Sequence, residues 1–200
     1  YRAKEGEYAL VKLAARFEER PLPKVSIIDM REQLKKGNRL ALSLELREDL
    51  GKCLEKGEQA MLFLNRRGYA GFVSCRSCGH VMKCPHCDVS LSEHNGRKLI
   101  CHYCGYETVK PDKCPVCSSP YIGGFKAGTQ QIQQIVENEF PGAGVLRMDY
   151  DTTRAKGSYE KILAAFSRHE ADVLIGTQMI VKGHDFPDVT LVGVIAADLS

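Results

Sequence analysis

The sequence predicts an α/β fold, a parallel sheet flanked by helices and interrupted part-way by a small cysteine-rich insertion. Three observations carry this reading. Apolar runs of strand length alternate with segments of helical period, both before Leu64 and after Gly128, as in βαβ units. Two of these runs, Val173–Gly176 and Thr190–Ala197, are apolar at successive positions, the mark of strands covered on both faces. Between the two halves, eight of the nine cysteines fall into four Cys-x-x-Cys pairs, a spacing that belongs to a metal-stapled module rather than to a sheet.

The elements follow in chain order. Tyr8–Leu13 and Val25–Met30 are short β-prone stretches separated by Pro21-Leu22-Pro23, and together they suit an irregular connector. Ser43 is placed to N-cap a helix running to Lys56, with Gly57 to end it. Leu46, Leu50, Cys53 and Leu54 share one face of that helix, so Cys53 reads as a small apolar core residue and not as a reactive thiol. Gln59–Leu64 is an apolar strand leading into Asn65-Arg66-Arg67-Gly68. Beyond the cysteines, Gly124–Ala127 reads as a strand end. Thr129 then caps a helix with Ile132, Ile135 and Val136 on one face, and Gly144–Met148 is a strand. A further helix, Ser158–Arg168, turns Tyr159, Ile162, Leu163 and Phe166 inward.

The cysteine pairs are Cys75/Cys78, Cys84/Cys87, Cys101/Cys104 and Cys114/Cys117. A two-residue spacer lets both thiolates of a pair meet one tetrahedral ion, and four ligands close a structural site, so eight ligands imply two zinc ions. Turn formers stand beside the ligands at Gly79, Pro85, Gly105 and Pro115. Cys78 and Cys84 are separated by five residues, short for one ribbon, whereas Cys87 and Cys101 are separated by thirteen. The inner pairs, Cys84, Cys87, Cys101 and Cys104, therefore share one zinc. Cys75, Cys78, Cys114 and Cys117 hold the other, at the neck of an insertion whose entry and exit strands lie side by side. His80, His86, His94 and His102 lie among these ligands and are surplus to eight thiolates. A disulfide framework would need an oxidising compartment, and no signal peptide, secretory pattern or apolar membrane span is present, so the expectation is a cytoplasmic protein.

Two hundred residues with 44% hydrophobic content are enough for a sizeable core, and a formal net charge of +3 excludes nothing by itself. Both ends, Tyr1 and Asp198-Leu199-Ser200, read as cuts through a longer protein.

In an open parallel sheet, ligands gather at the carboxyl ends of the strands. The loops that matter are therefore 65–69, 128–130, 149–153 and 176–185. Thr129, just after Gly128, either caps its helix or presents free backbone N–H groups to a phosphate. Arg66 and Arg67 either grip a phosphate backbone or form a solvated surface. In Gly176-Thr177-Gln178-Met179-Ile180-Val181-Lys182-Gly183-His184-Asp185-Phe186-Pro187, Thr177, Gln178 and Lys182 are donors suited to phosphates, and Asp185 is an acceptor suited to ribose hydroxyls. This segment resembles motif V of the superfamily 2 helicases. Taken with the four cysteine pairs, Phe63-Leu64-Asn65-Arg66-Arg67-Gly68-Tyr69-Ala70, Gly128-Thr129-Gln130 and Met148-Asp149-Tyr150-Asp151-Thr152-Thr153, it is similar to the primosomal, or PriA, family of bacterial replication-restart helicases over essentially the whole chain.

The resemblance implies an ATP-dependent 3′–5′ DNA helicase that acts on abandoned forks and reloads the replication machinery. Its partners would be forked and single-stranded DNA, primosome proteins and single-stranded DNA binding protein. It implies a RecA-like helicase lobe with residues 1–56 as the end of a first lobe and a connector, 57–73 as the start of the second lobe, 74–122 as the zinc insertion and 123–200 as the second lobe continued. Thr129, Thr177, Gln178 and Lys182, with Arg66 or Arg67, would contact DNA, while Gly183 and Asp185 would lie on the nucleotide side. ATP and Mg²⁺ would act in the full-length protein only. Gly51-Lys52 is followed by Cys53, so no phosphate-binding loop is present, and no Asp-Glu-x-His or Asp-Glu-x-Asp is there to hold Mg²⁺. This length of chain alone is therefore expected to be inactive. Two other classes fit the residues: a non-catalytic zinc-ribbon module that binds nucleic acid or protein on an α/β scaffold, and another nucleotide-using enzyme.

Overall fold

The computed structural model describes residues 1–11, 21–64, 72–94, 97–124, 128–180 and 185–197. The β-prone stretches near the start form no strand there: residues 8–11 and 25–29 are irregular, and Val25 and Ile27 are 79% and 94% exposed. β-propensity expresses packing on a neighbouring strand, and among the described residues 8–11 and 25–29 have none, as an irregular connector would. Met30 instead opens α1 (Met30–Lys35), whose N-cap Asp29 accepts from the backbone N–H of Arg31. The signal for this helix was Asp29 followed three residues later by Glu32. In α2 (Leu44–Glu55), the Ser43 hydroxyl accepts from Leu46 N–H, and Gly57, at φ +69°, turns the chain out of the helix.

After α2 comes β1 (Gln59–Leu64), then the insertion, and then α3 (Thr129–Glu139), β7 (Val145–Met148), α4 (Ser158–Ser167), β8 (Val173–Gly176) and β9 (Val189–Ile195). These four strands form one parallel sheet in the order β7-β8-β1-β9. The chain crosses the sheet in one direction from β1 to β7 and in the other from β7 to β8. Right-handed crossovers therefore place α3 and α4 on opposite faces. On the first face, Leu50 and Cys53 of α2 and Ile132 and Val136 of α3 bury Ala60, Leu62, Leu64, Val173, Ile175 and Ile195. On the second face, Phe166 of α4 packs with Met148 and Leu174. Arg47 and Glu139 pair across α2 and α3. Buried Gln59 donates to the carbonyls of Phe166 and Ala171 at 2.8 Å, tying the start of β1 to the end of α4.

β8 is buried at all four positions, as a central strand should be. β9 departs from the expectation of cover on both faces. Among the described residues it has a neighbour on one side only, β1, and Val192 and Val194 are 60% and 53% exposed. Its inner face meets α2 so closely that a Cβ on Gly193 would lie 2.8 Å from Leu62 and 2.9 Å from Leu46. On the second face, beyond α4, a groove of about 540 Å³ is lined by Met61, Phe63, Ile180, Asp185, Phe186, Val189, Val192 and Val194.

The insertion leaves the sheet through an antiparallel neck, β2 (Val73–Cys75) against β6 (Ile122–Gly124), with Val73 opposite Gly124 and Cys75 opposite Ile122. Beyond the neck, β3 (Ser92–His94), β4 (Lys98–Ile100) and β5 (Glu107–Val109) form an antiparallel meander. The parallel sheet and the cysteine-rich insertion are thus separate layers of one α/β chain.

Candidate metal centres and the strand-end loops

Each Cys-x-x-Cys pair is built by the same backbone turn. The N–H of the first cysteine donates to the carbonyl five residues on, at 2.8 Å in all four cases: Cys75 to His80, Cys84 to Val89, Cys101 to Tyr106 and Cys114 to Ser119. The N–H four residues on returns to the first cysteine's carbonyl, from Gly79, Asp88, Gly105 and Ser118. That fourth residue must adopt positive φ, +79° and +76° at the two glycines, +55° at Asp88 and +57° at Ser118. Asp88 and Ser118 take this conformation despite their Cβ atoms.

The turns bring the sulfurs together in two groups, first pair with fourth and second with third. Cys75, Cys78, Cys114 and Cys117 form the outer group and Cys84, Cys87, Cys101 and Cys104 the inner, and within each group all sulfurs lie within 4.8 Å of one another. Cys75–Cys117, Cys78–Cys114 and Cys84–Cys104 are separated by 3.6, 3.7 and 3.6 Å between sulfurs. These separations are far beyond a disulfide bond. They match the ~3.8 Å edge of a tetrahedron of thiolates around zinc.

The electrostatics of the two groups also call for a cation. The Cys101 thiol is pulled down to about 7, chiefly by the backbone N–H of Cys104. Burial opposes ionisation of Cys75, but the N–H groups of Cys78 and Ser77 and the Cys117 thiol bring it to about 7. Cys87 is pushed up to about 12, first by its hydrogen bond with Cys104. At Cys117 the N–H of Ser119 lowers the value, but burial and the thiols of Cys78, Cys75 and Cys114 outweigh it and carry it up to about 12. Four thiolates cannot ionise side by side unaided, and a divalent ion removes the conflict. No histidine joins either group among the described residues. His94 and His102 meet each other instead, with Nε2 atoms 2.9 Å apart, and His86 packs edge-on to Tyr106.

At the strand ends, the junction Met148–Asp149 gathers two of the predicted contact segments. Thr129 does not cap α3. The N-cap is Gly128, with no side-chain cap, and the Thr129 hydroxyl donates to Asp149 Oδ2 at 2.5 Å. The buried Asp149 also accepts from Thr152 N–H at 3.0 Å and pairs with Arg147 at 2.8 Å. Burial raises its pKa, but Thr129, Thr152 and Arg147 together hold it below the usual carboxylate value. Gly128 offers no side-chain cap, and the N–H groups of Gln131 and Ile132 turn back to its carbonyl at 3.0 and 3.1 Å. Thr177 reaches the same junction, its N–H 3.4 Å from the Met148 carbonyl, and Gln178 beside it is exposed. This return of the chain requires Gly176, where a Cβ would lie 2.7 Å from the Met148 carbonyl oxygen and 2.5 Å from Ile180.

Asp185 lines the groove over β1 and β9 together with Ile180. Phe186, next to it, packs edge-on against Phe166 with centroids 5.2 Å apart. Arg66, Arg67, Lys182 and Gly183 lie outside the described residues. Sequence reasoning missed Asp149 as the acceptor that joins α3 to the β7 loop. The signal was an Asp closing an apolar strand with Thr152 and Thr153 three and four residues on.

Comparison with known proteins adds to this geometry. A family described as the PriA DNA helicase Cys-rich region (CRR) domain matches residues 84–108, which contain all four inner cysteines. The replication restart protein PriA of Bacillus subtilis is 53% identical over 198 residues, 98% of this chain. Those of Synechocystis and Chlamydia pneumoniae are 51% and 40% identical over 94% and 98% of it. The chain belongs to the PriA family. It spans about a quarter of the length of these PriA relatives, 25%, 23% and 27% respectively. Within the PriA frame, the matched Cys-rich region is the meander with its inner cysteine group, and the outer group lies at its neck. Among the described residues no helix is long and apolar enough to cross a membrane.

Proposed function

We propose that this chain is the zinc-bearing part of a PriA-type, ATP-dependent 3′–5′ DNA helicase that acts at stalled forks in replication restart. The observation that carries the reading is the insertion itself: two four-cysteine groups on one antiparallel neck, set into a parallel α/β sheet, in a chain similar to PriA over nearly all its length. Residues 1–56 would be the end of the first lobe and its connector, 57–73 and 123–200 the second RecA-like lobe, and 74–122 the zinc insertion. The eight paired cysteines would hold two structural zinc ions. ATP and Mg²⁺ would bind between the lobes of the complete protein.

The strand-end loops would contact the DNA backbone. The start of α3, at Thr129, has no side-chain cap from Gly128 and carries the positive end of the helix dipole, which suits a phosphate. Thr177 and Gln178 stand on the loop joined to the same β7 end, and Lys182, Arg66 and Arg67 would add cations. Gly183 and Asp185 would face the nucleotide. Backbone contacts carry little base identity, so recognition would follow fork and single-strand shape. Primosome proteins and single-stranded DNA binding protein would be the protein partners, in the cytoplasm.

The test uses the full-length protein with Asp185→Ala and Lys182→Ala. Asp185→Ala should depress DNA-stimulated ATP hydrolysis and fork unwinding while fork binding at low salt survives. Lys182→Ala should weaken fork affinity and flatten its dependence on salt, measured by anisotropy across a salt series. If both variants hydrolyse ATP and unwind like the parent, the loop is structural and the assignment fails.

A further inference from the structure

The chain ahead of the sheet is held at two ends by contacts of different kinds. At one end it is fixed to the core. Leu42 is buried, and Gln33, also buried, donates to the Glu45 carboxylate at 2.9 and 3.0 Å and accepts from Leu44 N–H at 2.8 Å. Asn38 donates to the Leu42 carbonyl at 2.8 Å. At the other end it lies against the outer cysteine group. Arg76, between Cys75 and Cys78, donates from Nη1 to the carbonyl of Arg39 at 3.0 Å and from Nη2 to that of Leu40 at 3.4 Å. The Arg39 guanidinium sits over the ring of Tyr121, 5.7 Å from its centroid, just before β6. Arg31, gripped by the Asp29 carboxylate at 2.6 to 3.0 Å, lies against the same turn, since a Cβ on Gly79 would be 3.5 Å from its Nη1.

We propose that Arg76 is a positioning residue that fastens segment 29–42 to the outer zinc turn, so that the zinc insertion moves with the segment entering the sheet. The two neck strands join the insertion to the sheet, and Arg76 adds a further attachment to segment 29–42. This rests on the helicase reading above, in which residues 1–56 are the end of the first lobe and the connector. Movement of the connector on nucleotide binding then reaches the insertion through Arg76. The two parallel donors of one guanidinium, to consecutive carbonyls, make the link stiff in a way that a single ammonium cannot.

The experiment compares the zinc-loaded full-length protein with Arg76→Ala, Arg76→Lys and, independently of the zinc turn, Tyr121→Leu. Hydrogen exchange should rise about 10-fold or more at the backbone amides of residues 32–42 in Arg76→Ala, with two zinc ions retained. Base pairs unwound per ATP should fall several-fold, while DNA-stimulated ATPase stays within about twofold of the parent. Arg76→Lys should recover only part of the coupling, and Tyr121→Leu should shift both readouts the same way by less. Unchanged exchange over 32–42 in Arg76→Ala overturns the proposal, as does unchanged unwinding per ATP. If Arg76→Ala loses zinc, Tyr121→Leu decides by the same two readouts. A parent that does not unwind DNA overturns the helicase reading instead, and the exchange measurement still decides the attachment.

Discussion

The parallel sheet and the cysteine-rich insertion are stabilised by different physics. The sheet has two apolar layers, with Leu50, Leu62, Ile132, Val136 and Ile175 on one face and Phe166, Met148 and Leu174 on the other, all essentially inaccessible. The insertion has one small cluster of eight buried residues, Val73, Cys75, Cys84, Leu91, Leu99, Cys101, Cys114 and Ile122. Half of these are candidate ligands, so its interior is built around the metal sites. A module with so few aliphatic side chains cannot fold on burial alone, and metal binding supplies the remainder. The sheet needs no such help.

The largest test of this contrast is removal of metal. Chelation under reducing conditions should release two zinc ions per chain and abolish exchange protection across residues 73–124, while residues 128–180 and 189–195 keep theirs. Cys104→Ser and Cys117→Ser should each remove one ion by elemental analysis. Loss of both ions from either variant would show that the inner and outer groups are not independent.

In the sheet, the corresponding injury is a cavity. Phe166→Ala should cost ~3–5 kcal/mol in denaturant unfolding without changing zinc content, because its contacts are confined to the second face. An equal loss of zinc would mean that the two regions unfold as one. The smallest effect belongs to the turns. Ser118 holds φ +57° where Gly79 and Gly105 occupy the matching positions, so Ser118→Gly should stabilise the outer site by ~0.5–1 kcal/mol. This would appear as slower zinc release to a chromogenic chelator. Faster release would show that the Ser118 side chain contributes more than its conformation costs.

Most of the local structure was legible in the sequence because the signals are local. Ser43 and Gly57 bounded α2, periodicity placed α3 and α4, and the loop lengths between cysteine pairs indicated which sulfurs meet. The β-prone stretches near the start form the irregular connector expected of them at residues 8–11 and 25–29, because propensity alone does not supply a partner strand.

The sequence by itself determined the α/β class, the insertion between β1 and α3 and the family, since spacing, period and ordered motifs are properties of the chain. Only the tertiary structure decided that the Thr129 hydroxyl is committed to Asp149, that Gly176 lacks room for a Cβ beside Met148, and that Arg76 reaches back to the carbonyls of Arg39 and Leu40. Those contacts join residues 20, 28 and about 37 positions apart. Which distant group satisfies a polar atom depends on how sheet, helices and neck pack together, and no local pattern encodes that.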